Sequence, residues 1–134
     1  MIALAAWTGV VLVLIPIVRM RSGFRGEISP ADFKFGESSA VPPRVSIPNR
    51  NYMNLLEAPM LFYVVCTLLF VTAGATALAV GLAWAYVALR VVHSLIHLSY
   101  NNVVHRLYAF TLSNGVLAGL WVVLGLQVAA APGG

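Results

Sequence analysis

Residues 50–73 read RNYMNLLEAPMLFYVVCTLLFVTA, and this stretch decides the fold. From Tyr52 to Ala73 it is nearly continuous hydrocarbon. A helix of about 20 such residues crosses the roughly 30 Å apolar core of a bilayer. The run is too continuous for the inside–outside alternation of a membrane barrel, so a helix is the only spanning structure open to it. Within it lies a carboxylate, Glu57, three residues after Asn54 and seven after Arg50. A charge at bilayer depth costs at least about 2.5 kcal/mol, so an ionisable residue retained there marks a functional site by default.

Three further apolar runs flank it, at about Ile2–Val18, Ala75–Leu98 and Leu107–Ala131. The chain of 134 residues is 60% hydrophobic and 9% charged, with a mean hydropathy of +0.90. Soluble domains carry about 25% charged residues, so the balance places this single domain in the membrane. The expected architecture is an all-α bundle of four transmembrane helices, near 2–18, 52–73, 75–98 and 107–131, with a long loop over about 19–51. That loop carries Arg19, Arg21, Arg25, Lys34, Arg44 and Arg50, six of the eight cations. It also holds Pro30, Pro42, Pro43 and Pro48, and is not a further span. The turn around Gly74 has no cation, and the third loop has His105 and Arg106. The positive-inside rule therefore places the first and third loops in the cytoplasm and both termini outside. No cation precedes the first run, so it reads as a retained helix, not a cleaved signal. The expected setting is a bacterial inner membrane, with the site facing the cytoplasm. The net charge of +4 is a topology signal here, and no nucleic-acid partner is implied. The lone Cys66 excludes an internal disulfide and reads as a small apolar core residue.

The chemistry is concentrated in two polar stripes. Arg50, Asn54 and Glu57 are spaced i, i+4, i+7 and share one face of the second helix. Arg90, His93 and His97 are spaced i, i+3, i+7 and share one face of the third. The helices are antiparallel, so both stripes fall in the same half of the bilayer, with Glu57 roughly 8–10 Å inside its helix. Arg106 opens the fourth helix at the same end. A structural ion pair between Glu57 and Arg90 is one reading. It leaves Arg50 and Arg106 unanswered, and the positive surplus calls for an anionic ligand. His93 and His97, with His105 and Glu57, could in principle hold a metal or haem. Three neighbouring arginines argue against a bound cation. Gly115 and Gly119 form a small-residue pair suited to close helix contact, or simply to ordinary packing.

Asn54-Leu-Leu-Glu57-Ala-Pro59-Met-Leu-Phe62, Arg90-Val-Val-His93 and Arg106, set in four helices behind a basic first loop, resemble the MAPEG family. These are the membrane-associated proteins of eicosanoid and glutathione metabolism. The resemblance implies a homotrimer that binds glutathione between subunits as co-substrate. It implies transferase or peroxidase chemistry on a lipophilic substrate arriving from the bilayer. Arg50, Asn54, Glu57, Arg90, His93 and His97 would line the glutathione pocket. Arg106 would be the catalytic residue, stabilising the thiolate of a thiol whose free pKa is about 8.5. The pattern departs from family enzymes at three places. His97 and Phe110 stand where tyrosines are usual, and Leu107 stands where the prostaglandin-E-forming member has serine. Tyr100 and Tyr108 lie nearby. One family member activates a lipoxygenase and binds lipid without glutathione chemistry, so a non-enzymatic trimeric lipid-binding or scaffold protein is the alternative.

Overall fold

The computed structural model describes residues 1–130, so the last residue expected in the fourth run, Ala131, lies outside the described residues. Four long helices follow one another: α1 Ile2–Phe24, α2 Pro43–Val71, α3 Ala77–Leu98 and α4 Val103–Ala130. All four are long and apolar enough to cross a membrane. No strand occurs among the described residues, and the bundle is all-α as expected.

The helix limits differ from the sequence expectation at the loop end of the bundle, where α1 and α3 finish and α2 and α4 begin. α1 runs six residues past Val18 and carries Arg19 and Arg21 within it. α2 starts at Pro43, so the last part of the region expected to be loop, residues 43–51, is helix. Proline at the first helical position loses nothing, because the first N–H groups have no intrahelical partner anyway. α4 starts at Val103 because Asn102 Oδ1 accepts from the backbone N–H groups of Val104 and His105, at 3.0 and 3.1 Å. Arg106 therefore lies one turn inside α4 and does not open it. Polar helical turns are invisible to a hydropathy count, which sees the apolar span and not its extension into the headgroup region.

The short turn between α2 and α3 is closed by backbone bonds. Gly74 N–H reaches the Leu69 carbonyl at 2.7 Å and Ala73 N–H reaches Phe70 at 3.3 Å. Ala73 takes the left-handed conformation at φ 55°. This is the Schellman pattern, with alanine where glycine is usual. Gln127 of α4 reinforces it, donating to the Thr72 carbonyl at 2.9 Å. Thr76 caps α3 by accepting from Ala79 N–H at 3.2 Å, a bond of about 1 kcal/mol.

The remaining first loop, residues 25–42, is held by its acids, which pair with cations on the flanking helices. Arg44 pairs with Glu27, and Arg19 pairs with Glu37 at 3.6 Å while its guanidinium sits over the Phe33 ring. Ser29 and Asp32 form a capping box on a single 3₁₀ turn, Pro30–Phe33.

Leu4, Val11, Leu55, Phe62, Val65, Leu69, Tyr86, Leu117, Leu120 and Leu124 pack into one core. Phe62 stacks on Tyr86 with centroids 4.5 Å apart. The rest of the distribution is inverted relative to a soluble protein. Asn51, Arg90, His93, Ser94, His97 and Ser113 are buried, while Val13, Met60, Phe70, Leu78, Leu107 and Leu126 face outward. Hydrocarbon on the outside is the arrangement a bilayer requires. The Gly115/Gly119 pair makes no close helix contact among the described residues. Nothing approaches the Gly115 Cα face, and Gly119 meets only Leu82, at ordinary contact distance.

Candidate functional site

Helical phase decides which polar residues enter the bundle. From Pro48 onward the buried positions of α2 are Pro48, Asn51, Leu55, Pro59, Phe62, Val65 and Leu69, spaced three or four apart. Asn51 lies on that stripe. Asn54 lies at its border and is half-buried, and Arg50 and Glu57 lie on the outer face, exposed. On α3 the buried stripe is Tyr86, Val87, Arg90, His93, Ser94 and His97. The two sequence stripes therefore do not face each other squarely. The α3 stripe points into the bundle, and the α2 stripe runs along its flank.

Glu57 and Arg90 consequently form no ion pair, contrary to the structural-pair reading. The described ion pairs are the two that tie Glu27 and Glu37 of the first loop to Arg44 of α2 and Arg19 of α1. Arg90 is fully buried and donates from Nη2 to the backbone carbonyl of Asn54. That carbonyl lies beside a weak point in α2, because Pro59 has no N–H to give the Leu55 carbonyl. The guanidinium also approaches the Phe110 ring, 5.7 Å from its centroid. Where a tyrosine was expected by resemblance, an apolar ring covers the cation and lies 5.9 Å from the His93 ring.

His93 Nδ1 lies 3.0 Å from the backbone carbonyl of Arg106. It therefore donates there, and Nε2 is left as the acceptor. His97 is buried one turn on, its ring edge-on to His93 with centroids 6.1 Å apart. Arg106 is held by Asn101 Oδ1, which accepts from its Nη1 at 2.7 Å. Asn101 sits at φ 50°, a left-handed conformation that asparagine tolerates. The α3–α4 turn thus aims the arginine as well as connecting the helices. Tyr100 and Tyr108, the nearby tyrosines, are both exposed, and Tyr100 OH pairs with His105 Nδ1 at 3.0 Å.

Three residues that the sequence reading passed over bind this end together. Ser94 Oγ accepts from Asn51 Nδ2 at 2.6 Å and from Trp7 Nε1 at 2.9 Å. One hydroxyl therefore ties α1, α2 and α3. A signal is present in the sequence, since Ser94 is a polar residue inside an apolar run and Asn51 borders one, one turn from Arg90 and Asn54 respectively. Neither falls on the i, i+4, i+7 or i, i+3, i+7 spacing of the charged stripes, so spacing to the charges does not single them out.

Several buried polar atoms find no partner among the described residues: Asn51 Oδ1, Tyr86 OH, Arg90 Nε and Nη1, His93 Nε2, His97 Nδ1 and Arg106 Nε. The set mixes donors and acceptors and is positively charged. No group of three or more metal-ligating side chains occurs among the described residues, and the suggested meeting of His93 and His97 with His105 and Glu57 does not form. Cys66 lies elsewhere, half-buried on an apolar cleft of about 590 Å³ towards the short turn, lined also by Leu69, Ala79, Trp84 and Val87.

Four apolar helices with a basic, unsatisfied polar cluster at one end define a multi-pass membrane protein with an internal polar site. A family model described as "MAPEG family" matches residues 1–126, nearly the whole chain, and the chain belongs to that family. No curated protein and no solved structure gives a significant match.

Proposed function

We propose that the protein is a membrane glutathione transferase or peroxidase, acting as a homotrimer with glutathione held between subunits. The observation that carries this reading is the charge inventory at the loop end. Arg50, Arg90 and Arg106 gather there, and Glu57, the one acid in the apolar spans, pairs with none of them. Glutathione has two carboxylates, one ammonium, two peptide groups and a thiol. Its carboxylates suit the free guanidinium N–H groups, its ammonium suits Glu57, and its amides suit acceptors such as Asn51 Oδ1 and His93 Nε2.

The trimer is supported by the exposed α2 stripe. A carboxylate on the outer face of a spanning helix is costly against lipid. A neighbouring subunit, with the ligand between, would cover Arg50, Asn54 and Glu57. The concentration of cations at the loop end supports a cytoplasmic orientation for the site, and we extend the reading to a bacterial inner membrane.

Arg106 is the proposed thiolate stabiliser, pinned by Asn101 with Nε free. In the transferase reaction the thiol proton leaves to solvent, the sulfur forms a bond to an electrophilic carbon, and the leaving group departs with its electron pair. In the peroxidase reaction the thiolate takes the terminal oxygen of a lipid hydroperoxide and releases an alcohol. A second glutathione then condenses with the oxidised sulfur to give a disulfide and water. The test is titration of purified protein in nanodiscs with glutathione, followed by calorimetry and ultraviolet thiolate absorbance. The expected result is binding with a thiolate signal that Arg106→Ala removes while the helix content stays unchanged. Absence of binding at millimolar glutathione overturns the reading and favours the lipid-binding alternative.

A further inference from the structure

We propose that the outer face of α1 is a binding site for one anionic phospholipid. Val10, Val13, Ile17, Met20 and Phe24 are spaced three and four residues apart, and all are exposed. They form a continuous apolar stripe on one face. From Val10 to Met20 the helix rises about 15 Å, half of the roughly 30 Å hydrocarbon core and so the depth of one leaflet. Counted from Ile2, about 20 residues bring the chain to Arg21 at the headgroup level. Arg21 and Arg25 lie one turn apart there, beside Phe24, and both are exposed. An acyl chain along the stripe would bring a phosphate to these two guanidinium groups.

Charge complementarity selects lipid over a second copy of the chain. The protein has four acids. Glu27 and Glu37 are taken by Arg44 and Arg19, and Asp32 is held by Ser29. Glu57 lies deeper, roughly 10 Å inside α2 from Arg50. No second copy therefore offers a free acid at headgroup depth to meet Arg21 and Arg25, which make no ion pair among the described residues. Anionic headgroups occur at that depth as a matter of course. The site is independent of the thiol chemistry, so glutathione binding can fail without affecting it.

The experiment uses the full chain in nanodiscs of equal parts phosphatidylglycerol and phosphatidylcholine, released into native mass spectrometry. Wild-type protein is expected to retain phosphatidylglycerol selectively. Arg21→Gln with Arg25→Gln should weaken that retention by about thirtyfold, about fivefold per cation. Arg21→Lys with Arg25→Lys should keep most of it. Equal retention of the two lipids by wild type overturns the proposal, and this arm needs no variant to fold. A Gln/Gln variant that changes oligomeric state in size exclusion while keeping its lipid selectivity also overturns it, and assigns the face to a second copy.

Discussion

Ser94→Ala is the most informative single substitution in the bundle. Ser94 Oγ is fully buried and accepts two hydrogen bonds, at 2.6 Å from Asn51 and 2.9 Å from Trp7. Alanine removes one oxygen and strands two donors on two other helices. In soluble proteins a buried donor without a partner costs about 1–3 kcal/mol. Hydrogen bonds between transmembrane helices average only about 0.6 kcal/mol, because the unfolded chain in the membrane finds other partners. Two bonds at the lower value give about 1 kcal/mol, and two at the soluble value give about 2–6 kcal/mol. The expected loss is about 1–3 kcal/mol, set nearer the lower end by the membrane reference state. Steric-trap or detergent unfolding of the purified protein measures it. A double-mutant cycle with Asn51→Leu supplies the control, since the donor then no longer exists to be stranded. The Ser94→Ala penalty should fall by about half in that background, because Trp7 is still stranded. A full penalty in both backgrounds would show that Ser94 acts through packing and would refute the three-helix tie. Glutathione affinity read on the same variants tests whether the tie also sets the position of Asn54 and Arg90.

Other outcomes follow from the same geometry. Arg90 is buried without an ion pair, so Arg90→Met should leave stability unchanged or raise it by about 1–4 kcal/mol, while abolishing glutathione binding by calorimetry. Joint loss of folding and binding would instead make Arg90 structural. A Cβ at position 74 would collide with the Gln127 amide, the far end of a movable side chain. Gly74→Ala should therefore lower the melting temperature, and Gln127→Ala should relieve that effect despite losing its own bond to Thr72. The Glu27 carboxyl is held below its usual range, first by its bond to Arg44 and then by Ser22. A depressed folded-state value means the stabilisation is present above the unfolded value of 4.5 and is lost as pH falls below it. Protection of residues 25–42 against hydrogen exchange, relative to the intrinsic rate at each pH, should fall below that pH in wild type, and Glu27→Gln should lower it already at neutral pH.

The four spans were legible because hydropathy over about 20 residues is a strong signal. The grouping of Arg50, Asn54, Glu57, Arg90, His93, His97 and Arg106 at one end of the bundle was legible for a similar reason. Antiparallel neighbours joined by short turns place such residues at one depth whatever their rotation. The helix starts at Pro43 and Val103 were not legible, since caps made by Asn102 and a first-turn proline act in polar sequence where the apolar count is silent.

What the sequence by itself determined was therefore a set of axial positions: which segments cross, in what order, and which charges share a level. Rotation about each helix axis was left to the tertiary structure. α2 is apolar on both faces, with Leu55, Phe62 and Val65 on one and Met53, Met60 and Val64 on the other. Lipid and protein interior are equally hospitable to hydrocarbon, so the pattern alone does not say which face turns inward. Packing against Tyr86 and the tie through Asn51 and Ser94 make that choice. The result puts Arg90 inside without a counter-ion and Glu57 outside, and that separation turns a possible ion pair into a candidate binding site.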